Sequence, residues 1–544
     1  MESIGYEIYI KSFFDSNNDG IGDLNGITEK LDYLEELGVN LLWITPFYDS
    51  PFDDNGYDVR DYFLVSKIYG TNEDLDNLIK KAKQKNMRII IDLVLNHTSD
   101  EHKWFLEAKK SKTNKYRDYY IWHDGKIIDN KKIEPTNWGS FFGGSAWNYS
   151  SETDSYYMKI FSNKMPDLNW ENIDVHKEII DIINYWLDKG IDGFRLDAVS
   201  HLAKASFIDS NLYNDKYPLD WFKFSNLDKV HDYLKMLNKK AFSKKDILTI
   251  GEVGGEASVE SGLKYAGIER AELNMVYNFD HNWCHKNNET DYNCLKRAFN
   301  SWQEAFKDKG FLPLNWLNHD QPRLMSHYAN KNYEQESYKM LATLLYLKRG
   351  TPFIYQGEEL GMTNTYFNDI SEFRDVASIN LYYEDLKHNT ISQALALANQ
   401  KTRDNARTPM QWNANLYAGF SNVTPWIKVN ENYLDINVEK QLHEENSILN
   451  YYKKLIYLRS KSKYRELLIY GNYEFIETDD LYIYKRKNEK KTILVINNIN
   501  GTNKTYNIRN TIKEVLLTNY DKTLIINDII YLKPFETIVL EIEV

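Results

Sequence analysis

Short, continuous apolar runs alternate with stretches of helical periodicity over most of this chain, and that alternation limits the fold more than any other feature. Tyr6 to Phe13, Val39 to Pro46, Met87 to Leu95, Gly190 to Ala198, Ile247 to Val253, Leu273 to Phe279, Phe311 to Asn318 and Thr351 to Gln356 read as eight strands. Between them, Ile27, Leu31, Leu34 and Leu37 fall on one helical face. Leu75, Leu78, Ile79 and Ala82 fall on another, and Ile179, Ile183, Trp186 and Leu187 on a third. Strands that are apolar throughout bury both faces, as in a parallel sheet covered by helices. About eight such repeats predict an α/β fold, a (β/α)8 TIM barrel.

The rhythm breaks in three places. Residues 99–172 hold many aromatic, Gly, Ser and Asn residues, a stretch too long for a structureless connection. We read them as a small domain, or a long functional loop, inserted after the third strand. The barrel then spans 1–98 and 173–465, with an irregular segment at 361–445 and a last helix near Ser447 to Lys461. From 466 to 544, short alternating runs at Tyr473 to Lys485, Lys491 to Asn497 and Ile530 to Val544 predict a small C-terminal all-β domain.

The fourth strand carries a problem. Arg195 and Asp197 interrupt an apolar run, and burying them is costly unless they meet each other or a ligand. A structural ion pair and a functional cleft both satisfy that condition. In a barrel of this kind, functional groups gather at the C-terminal ends of the strands. Asp92 and Asn96-His97 lie at the end of the third, Arg195 and Asp197 on the fourth, Glu252 on the fifth and His319-Asp320 on the seventh. Asp58 follows Asn55-Gly56-Tyr57 in the loop after the second. Such a ring of carboxyls, histidines and an arginine suits glycoside hydrolysis, which needs one ionised and one protonated carboxyl about an oxocarbenium-like centre. Asp197 beside Arg195 is the better anion, the nucleophile candidate. Glu252, among Leu248, Ile250 and Val253, is expected to be raised by apolar surroundings and to act as the acid.

Composition removes other classes. A formal net charge of −12 argues against nucleic acid, which needs a concentrated basic surface. No run is long and apolar enough for a membrane span, and with strand-like residues starting at Tyr6 no signal peptide is expected. The two cysteines, Cys284 and Cys294, are expected to form no disulfide framework, and a cytoplasmic location fits. Asp15, Asn17, Asp19, Ile21 (through its carbonyl) and Asp23 place oxygen donors around a glycine turn; this is either a site for a hard cation or an acidic turn.

Asp92-Leu-Val-Leu-Asn96-His97, Gly193-Phe-Arg-Leu-Asp197, Gly251-Glu252-Val253 and Asn318-His319-Asp320 resemble, in order, four conserved regions of the α-amylase family of glycoside hydrolases. Met165-Pro-Asp-Leu-Asn169-Trp170 is similar to its fifth region. Arg403-Asp-Asn-Ala-Arg407-Thr-Pro-Met-Gln-Trp412 resembles the α-glucosidase and oligo-1,6-glucosidase branch. The resemblance implies a barrel with domain B (99–172) inserted after the third strand and a C-terminal all-β sandwich domain (466–544). It implies Asp197 as nucleophile, Glu252 as acid/base and Asp320 as transition-state stabiliser. It implies that His97, His319, Arg195 and Asp58 hold a terminal glucose, with Tyr57 stacked on its ring. Arg403 or Arg407 completes that pocket, with Arg403 favoured. His201 either touches the leaving sugar or is a solvated loop histidine. Similar glucosidases carry a metal in the Asp15–Asp23 loop, which makes a structural Ca²⁺ the expected cofactor, with no organic one. Met165 stands where the oligo-1,6-glucosidase branch has Gln, and Ala198, directly after the nucleophile, points towards α-1,4 linkages in that branch. The resulting expectation is a monomeric, retaining, exo-acting α-glucosidase acting on α-1,4 bonds of a small oligosaccharide or disaccharide. The alternatives are an oligo-1,6-glucosidase, a trehalose-6-phosphate hydrolase and a sucrose-active transglycosylase. A non-catalytic barrel is disfavoured by the complete carboxylate set.

Overall fold

In the computed structural model, which describes residues 2–212, 215–254, 257–286 and 289–543, the eight expected strands are all present. They are β1 (Gly5–Ile8), β2 (Leu41–Ile44), β3 (Arg88–Val94), β4 (Gly193–Asp197), β5 (Leu248–Glu252), β6 (Met275–Tyr277), β7 (Pro313–Leu314) and β8 (Thr351–Tyr355). Hydrogen bonding runs β6-β5-β4-β3-β2-β1-β8-β7, so the barrel is joined all round except at the β6–β7 seam. Every pairing within it is parallel. The strands are shorter than the apolar runs that announce them. Tyr6–Phe13 contracts because Ile10–Ser12 turns into a 3₁₀ helix. Phe311–Asn318 contracts to two residues beginning at Pro313, which has no N–H for the ladder.

Register places the charges. Arg195 on β4 lies beside Asp92 on β3 and Ile250 on β5. Because alternate residues of a strand share a face, Arg195 and Asp197 point one way while Phe194 and Leu196, both fully buried, point the other. Gly193 makes the close β4–β5 approach possible: at φ +153° a Cβ there would lie 2.0 Å from the Leu248 carbonyl oxygen. The helix feeding β4, Ile173–Lys189, starts where the Asn172 side chain accepts from the Asp174 N–H. It ends at left-handed Gly190 (φ 101°).

Domain B contains a three-stranded sheet of Trp122–His123, Ser155–Met158 and Trp147–Ser150. Its own apolar core includes Trp138, Trp147, Tyr156 and Met158. A backbone bridge between His97 and Asp167 ties it to the end of the third strand. The segment 361–445 is less irregular than its sequence suggests, for its helices include two of ten residues or more, Val376–Asp385 and Ile391–Lys401, capped by Asp375 and Thr390. Their shared core is small, including Phe373, Tyr382, Ala394 and Ala398, so their apolar stripes are too narrow to read from sequence.

The C-terminal domain has β9 (Asn472–Ile476), β10 (Leu481–Lys487), β11 (Thr492–Asn498), β12 (Lys504–Asn507), β13 (Ile512–Thr518), β14 (Leu524–Ile526), β15 (Ile529–Leu532) and β16 (Thr537–Ile542). They form two sheets, β9-β10-β11-β16-β13 and β12-β15-β14, around Ile483, Leu494, Ile496, Ile530 and Leu540. The last expected run ends within this sheet; Val544 lies outside the described residues.

The cysteines correct the sequence reading. Cys284 and Cys294 are joined in a disulfide that ties the turn after β6 to the helix Tyr292–Phe306. Between them, His285–Lys286 pairs antiparallel with Glu289–Thr290, and the two Cα atoms lie 5.3 Å apart. Among the described residues, no helix is long and apolar enough to cross a membrane.

Candidate active site

The costly arginine of β4 turns out to be the centre of the site. The Arg195 guanidinium is fully buried, packs over the Trp43 ring and meets three carboxylates. Nη1 donates to Asp92 (2.5 Å) and Asp197 (2.6 Å), and Nη2 lies 2.9 Å from Glu252. Both sequence explanations are therefore correct at once: the ion pair exists, and it faces a cleft. Burial pushes the Asp197 carboxyl up, Arg195 opposes the rise, and Glu252 and Asp92 add to it. Burial likewise pushes Asp92 up to about 6 against the pull of Arg195, with the Trp43 indole donating to its other oxygen. Three carboxylates on one cation leave a net negative cluster, which retains a proton more readily than an isolated carboxyl.

Glu252 does not sit in the apolar surroundings expected of it. Its carboxylate accepts from Arg195 and from the Ala198 N–H (3.0 Å), and its side chain is the most solvent-accessible of the three, at 22%. Leu248 and Ile250 share the strand face of Glu252 but lie deeper, packed with Trp43, Ile90 and Tyr277, whereas Glu252 emerges at the strand end into the cleft. Ala198 itself is left-handed (φ 46°, ψ 33°), which turns the chain sharply out of β4.

Asp320 occupies the opposite charge setting. Burial alone would raise its carboxyl. His319, Arg403 and Arg407 overcome that and hold it well below the usual carboxylate range. Arg407 Nη2 is 2.7 Å from it and Arg403 Nη1 3.4 Å. Of the two arginines, Arg403 lines the cleft, while Arg407 backs Asp320 and packs against Tyr9.

A cavity of about 270 Å³ collects these groups, at the low end of small-ligand sites. Its walls include Tyr57, His97, Met165, Asp197, Ala198, His201, Glu252, Asp320 and Arg403. Among the larger hollows, two of about 700 and 750 Å³ lie on the C-terminal domain and at its seam with the barrel, away from the carboxylates. Tyr57 Oη and His97 Nε2 are buried without a protein partner. Such orphaned polar atoms in a cleft are what ligand hydroxyls satisfy. Burial holds the imidazoles of His97, His201 and His319 at about 3, hence neutral. His201 is buried rather than solvated, its Nδ1 anchored against the Phe224 carbonyl (2.9 Å).

Two expected roles change. Asp58 is buried below the cleft, with its two oxygens taken by the N–H groups of Asp53 (2.8 Å) and Asp54 (3.0 Å), and burial pushes it up to about 6. The acid that reaches the cleft is Asp54, paired with Arg403 at 2.8 Å. The turn Asn55-Gly56 stands between the two acids, and spacing alone does not say which of them points inward. Tyr57 gives one ring face to His319 (centroids 5.2 Å apart, 12° between planes), which leaves only its other face for a sugar.

The sequence also did not show an aromatic wall. Phe141, Phe142 and Phe161 from domain B, Trp221, and Phe279 from the loop after β6 line the cleft. Phe142 covers the Arg403 guanidinium (4.9 Å), whose far side is clamped by Asp375 (2.6 Å). The only advance signal was the aromatic richness of residues 99–172.

The Asp15–Asp23 loop lies apart from the cleft. Asp15 accepts from the N–H groups of Asn18 (2.7 Å) and Gly20 (2.8 Å) and from Ser421 Oγ (2.6 Å). Asp19 accepts from the Ile21 N–H (2.9 Å), and Asp23 caps the helix Leu24–Glu29 through the Gly26 N–H (2.7 Å). Among the described residues no three His, Cys, Asp or Glu converge as metal ligands. The donor types fit a hard cation, whereas the arrangement as folded spends the carboxylates on backbone amides.

Comparison with known proteins agrees with this architecture. A model of the alpha amylase catalytic domain matches residues 7–471, and one of the alpha-amylase SusG C-terminal domain matches residues 481–539. The chain is 43% identical to an oligo-1,6-glucosidase of Bacillus cereus, over 100% of its own length and 99% of that protein. It is 41% identical to a trehalose-6-phosphate hydrolase of Bacillus subtilis (strain 168), over 99% and 97%. The crystal structure of an isomaltulose synthase from Erwinia rhapontici NX5 superposes with a TM-score of 0.93 at 37% identity, covering 100% of this chain and 99% of that one.

Proposed function

We propose that this chain, which belongs to the α-amylase family of glycoside hydrolases, releases glucose from the non-reducing end of short α-1,6-glucosides with retention of configuration. The observation that carries the reading is the grip of Arg195 on Asp197 and Glu252 through its two terminal nitrogens. Carboxyls held on one guanidinium are close neighbours. That arrangement suits a retaining pair, about 5–5.5 Å apart, better than the ~6.5–9.5 Å of an inverting pair.

In this mechanism Asp197 attacks the anomeric carbon while Glu252 donates its proton to the departing glycosidic oxygen. Water then enters, Glu252 takes a proton from it, and the glucosyl–Asp197 ester is cleaved. Asp320, kept ionised by Arg403 and Arg407, accepts from sugar hydroxyls and lies near the developing positive charge. Tyr57 Oη and His97 Nε2 supply further polar contacts. The Arg403–Asp54 pair, with Phe142 over it, walls off the cleft, which favours a terminal sugar over the interior of a chain.

The α-1,4 leaning drawn from Ala198 is not kept. The oligo-1,6-glucosidases are the relatives that support the alternative. The physical reason is that Ala198 contributes one methyl to a cleft whose outer wall is aromatic, and one small group is worth only ~1–3 kcal/mol of discrimination. A phosphorylated substrate is less well served. Arg403 is the one lining cation among the described residues, and Asp54, Asp320 and Asp375 already engage it. Comparing kcat/KM for isomaltose, maltose, sucrose, trehalose and trehalose 6-phosphate tests the assignment. Isomaltose should lead, and a clear preference for maltose or for the phosphorylated disaccharide would refute it. The loop at Asp15, Asn17, Asp19, Ile21 and Asp23 is proposed as a structural Ca²⁺ site in which the cation displaces the amide-to-carboxylate bonds; it takes no part in the chemistry.

A further inference from the structure

We propose that Glu7, on β1, is a positioning residue that donates a proton to His319 and thereby fixes which imidazole nitrogen faces the sugar. This rests on the glucosidase reading of the cleft for its consequence, although not for its geometry.

His319 cannot turn. Its ring is stacked between Tyr57 (5.2 Å, 12°) and Tyr9 (5.9 Å, 20°), with the Trp43 edge beside it. Each nitrogen therefore has one fixed neighbour. Nδ1 lies 2.6 Å from Glu7 Oε1, the same oxygen that accepts the His319 backbone N–H at 3.3 Å. Nε2 lies 3.5 Å from Asp320 Oδ1. Both partners are carboxyls, and both Glu7 and His319 are essentially inaccessible to solvent.

A neutral imidazole has one N–H to give. Asp320 is held as an anion by Arg403 and Arg407, so a bare Nε2 would set a lone pair against a carboxylate. The N–H therefore belongs on Nε2, which leaves Nδ1 bare. A bare nitrogen 2.6 Å from a carboxyl oxygen needs the proton on that carboxyl. Burial acts in the same direction on both groups: it raises Glu7 and lowers His319 to about 3. The charged and titratable groups facing Glu7 are Asp92, Asp320, Arg195, Tyr277 and Tyr355. Those facing His319 are Asp320, Arg195, Arg403 and Arg407.

The consequence is functional. With Glu7 protonated, His319 offers an Nε2–H donor beside Asp320, where a sugar hydroxyl bridges the two. Loss of the Glu7 proton at alkaline pH moves the imidazole proton to Nδ1 and removes that donor from the cleft. In Glu7→Gln, an amide NH2 in the place of Oε1 donates to Nδ1, so the same tautomer persists without a titrating group, and the long 3.3 Å bond from the His319 backbone N–H is given up.

Two measurements decide the matter. A neutron diffraction map of the wild-type protein should place hydrogen on Glu7 and on His319 Nε2; hydrogen on Nδ1 with a bare Glu7 overturns the proposal. In kinetics on an aryl α-glucoside, the alkaline limb of kcat/KM should move up by about one pH unit or more in Glu7→Gln. Glu7→Ala should lose more activity at pH 6 than Glu7→Gln. An unmoved limb in Glu7→Gln, or equal losses in the two folded variants, overturns it as well. If the wild-type protein releases no glucose at any pH, the proposed function fails, and the neutron map still decides the role of Glu7.

Discussion

Asp54→Ala isolates the residue that the structure substitutes for the one chosen from sequence. The perturbation is local, because Arg403 keeps Asp375 at 2.6 Å and Asp320 at 3.4 Å when its 2.8 Å partner is removed. The fold should therefore hold, with a urea midpoint near that of the wild type. What is lost is a charged acceptor at the wall of a 270 Å³ cleft and the partner that aims the Arg403 guanidinium. Hydrogen bonds to charged groups contribute ~1.5–3 kcal/mol, so kcat/KM should fall roughly 10- to 150-fold. Asp58→Asn is the comparison, since that carboxylate touches only the backbone of Asp53 and Asp54. Kinetics on an aryl α-glucoside, with a urea titration of each variant, provide the assay. A larger loss of activity in folded Asp58→Asn than in Asp54→Ala would refute the reasoning and restore the sequence-based choice.

Three further outcomes are expected. Because burial depresses His97, His201 and His319 to about 3, their contribution to stability is intact above the unfolded value near 6.5 and is lost as pH falls below it. At pH 5.5 each costs ~1.4 kcal/mol, so urea midpoints at pH 7.5 and 5.5 should differ clearly, and less so in His201→Gln. Ala198→Val puts a β-branched side chain at φ 46° and should lower stability by ~1–2 kcal/mol in urea unfolding; an unchanged midpoint would show that the turn relaxes. Adding Ca²⁺ to chelator-treated protein should raise the melting temperature through the Asp15–Asp23 loop, and the shift should vanish in Asp19→Ala; no shift in the wild type removes that site.

The parts of this molecule legible in its sequence are those the backbone period controls. Continuous apolar runs gave eight strands, and alternation within β4 placed Arg195 and Asp197 on one face without knowledge of any partner. Residues at the strand ends, Asp92, His97, Glu252 and Asp320, followed from the same geometry. What was hidden depends on contacts between distant parts of the chain. Asp54 is distinguished from Asp58 only by Arg403, 349 positions away, and Glu7 acquires a role only from His319, 312 positions away. The aromatic wall belongs to the same class, since Phe142 and Arg403 meet only through tertiary packing. Glu252 shows a different limit. Its neighbours in sequence are apolar, yet its neighbours in space are Arg195 and the Ala198 amide, because Leu248 and Ile250 on its own face lie deeper in the barrel and Val253 turns to the opposite face.

The central claim is that Asp197 forms a covalent bond to glucose while Glu252 moves the proton. Incubating the protein with a fluorinated α-glucosyl fluoride, which slows hydrolysis of the glucosyl–enzyme ester, and mapping the modified peptide by mass spectrometry tests it most directly. The account predicts one added glucosyl group, on Asp197. A label on any other residue, or an active enzyme that accumulates no label and releases β-glucose first, would contradict it.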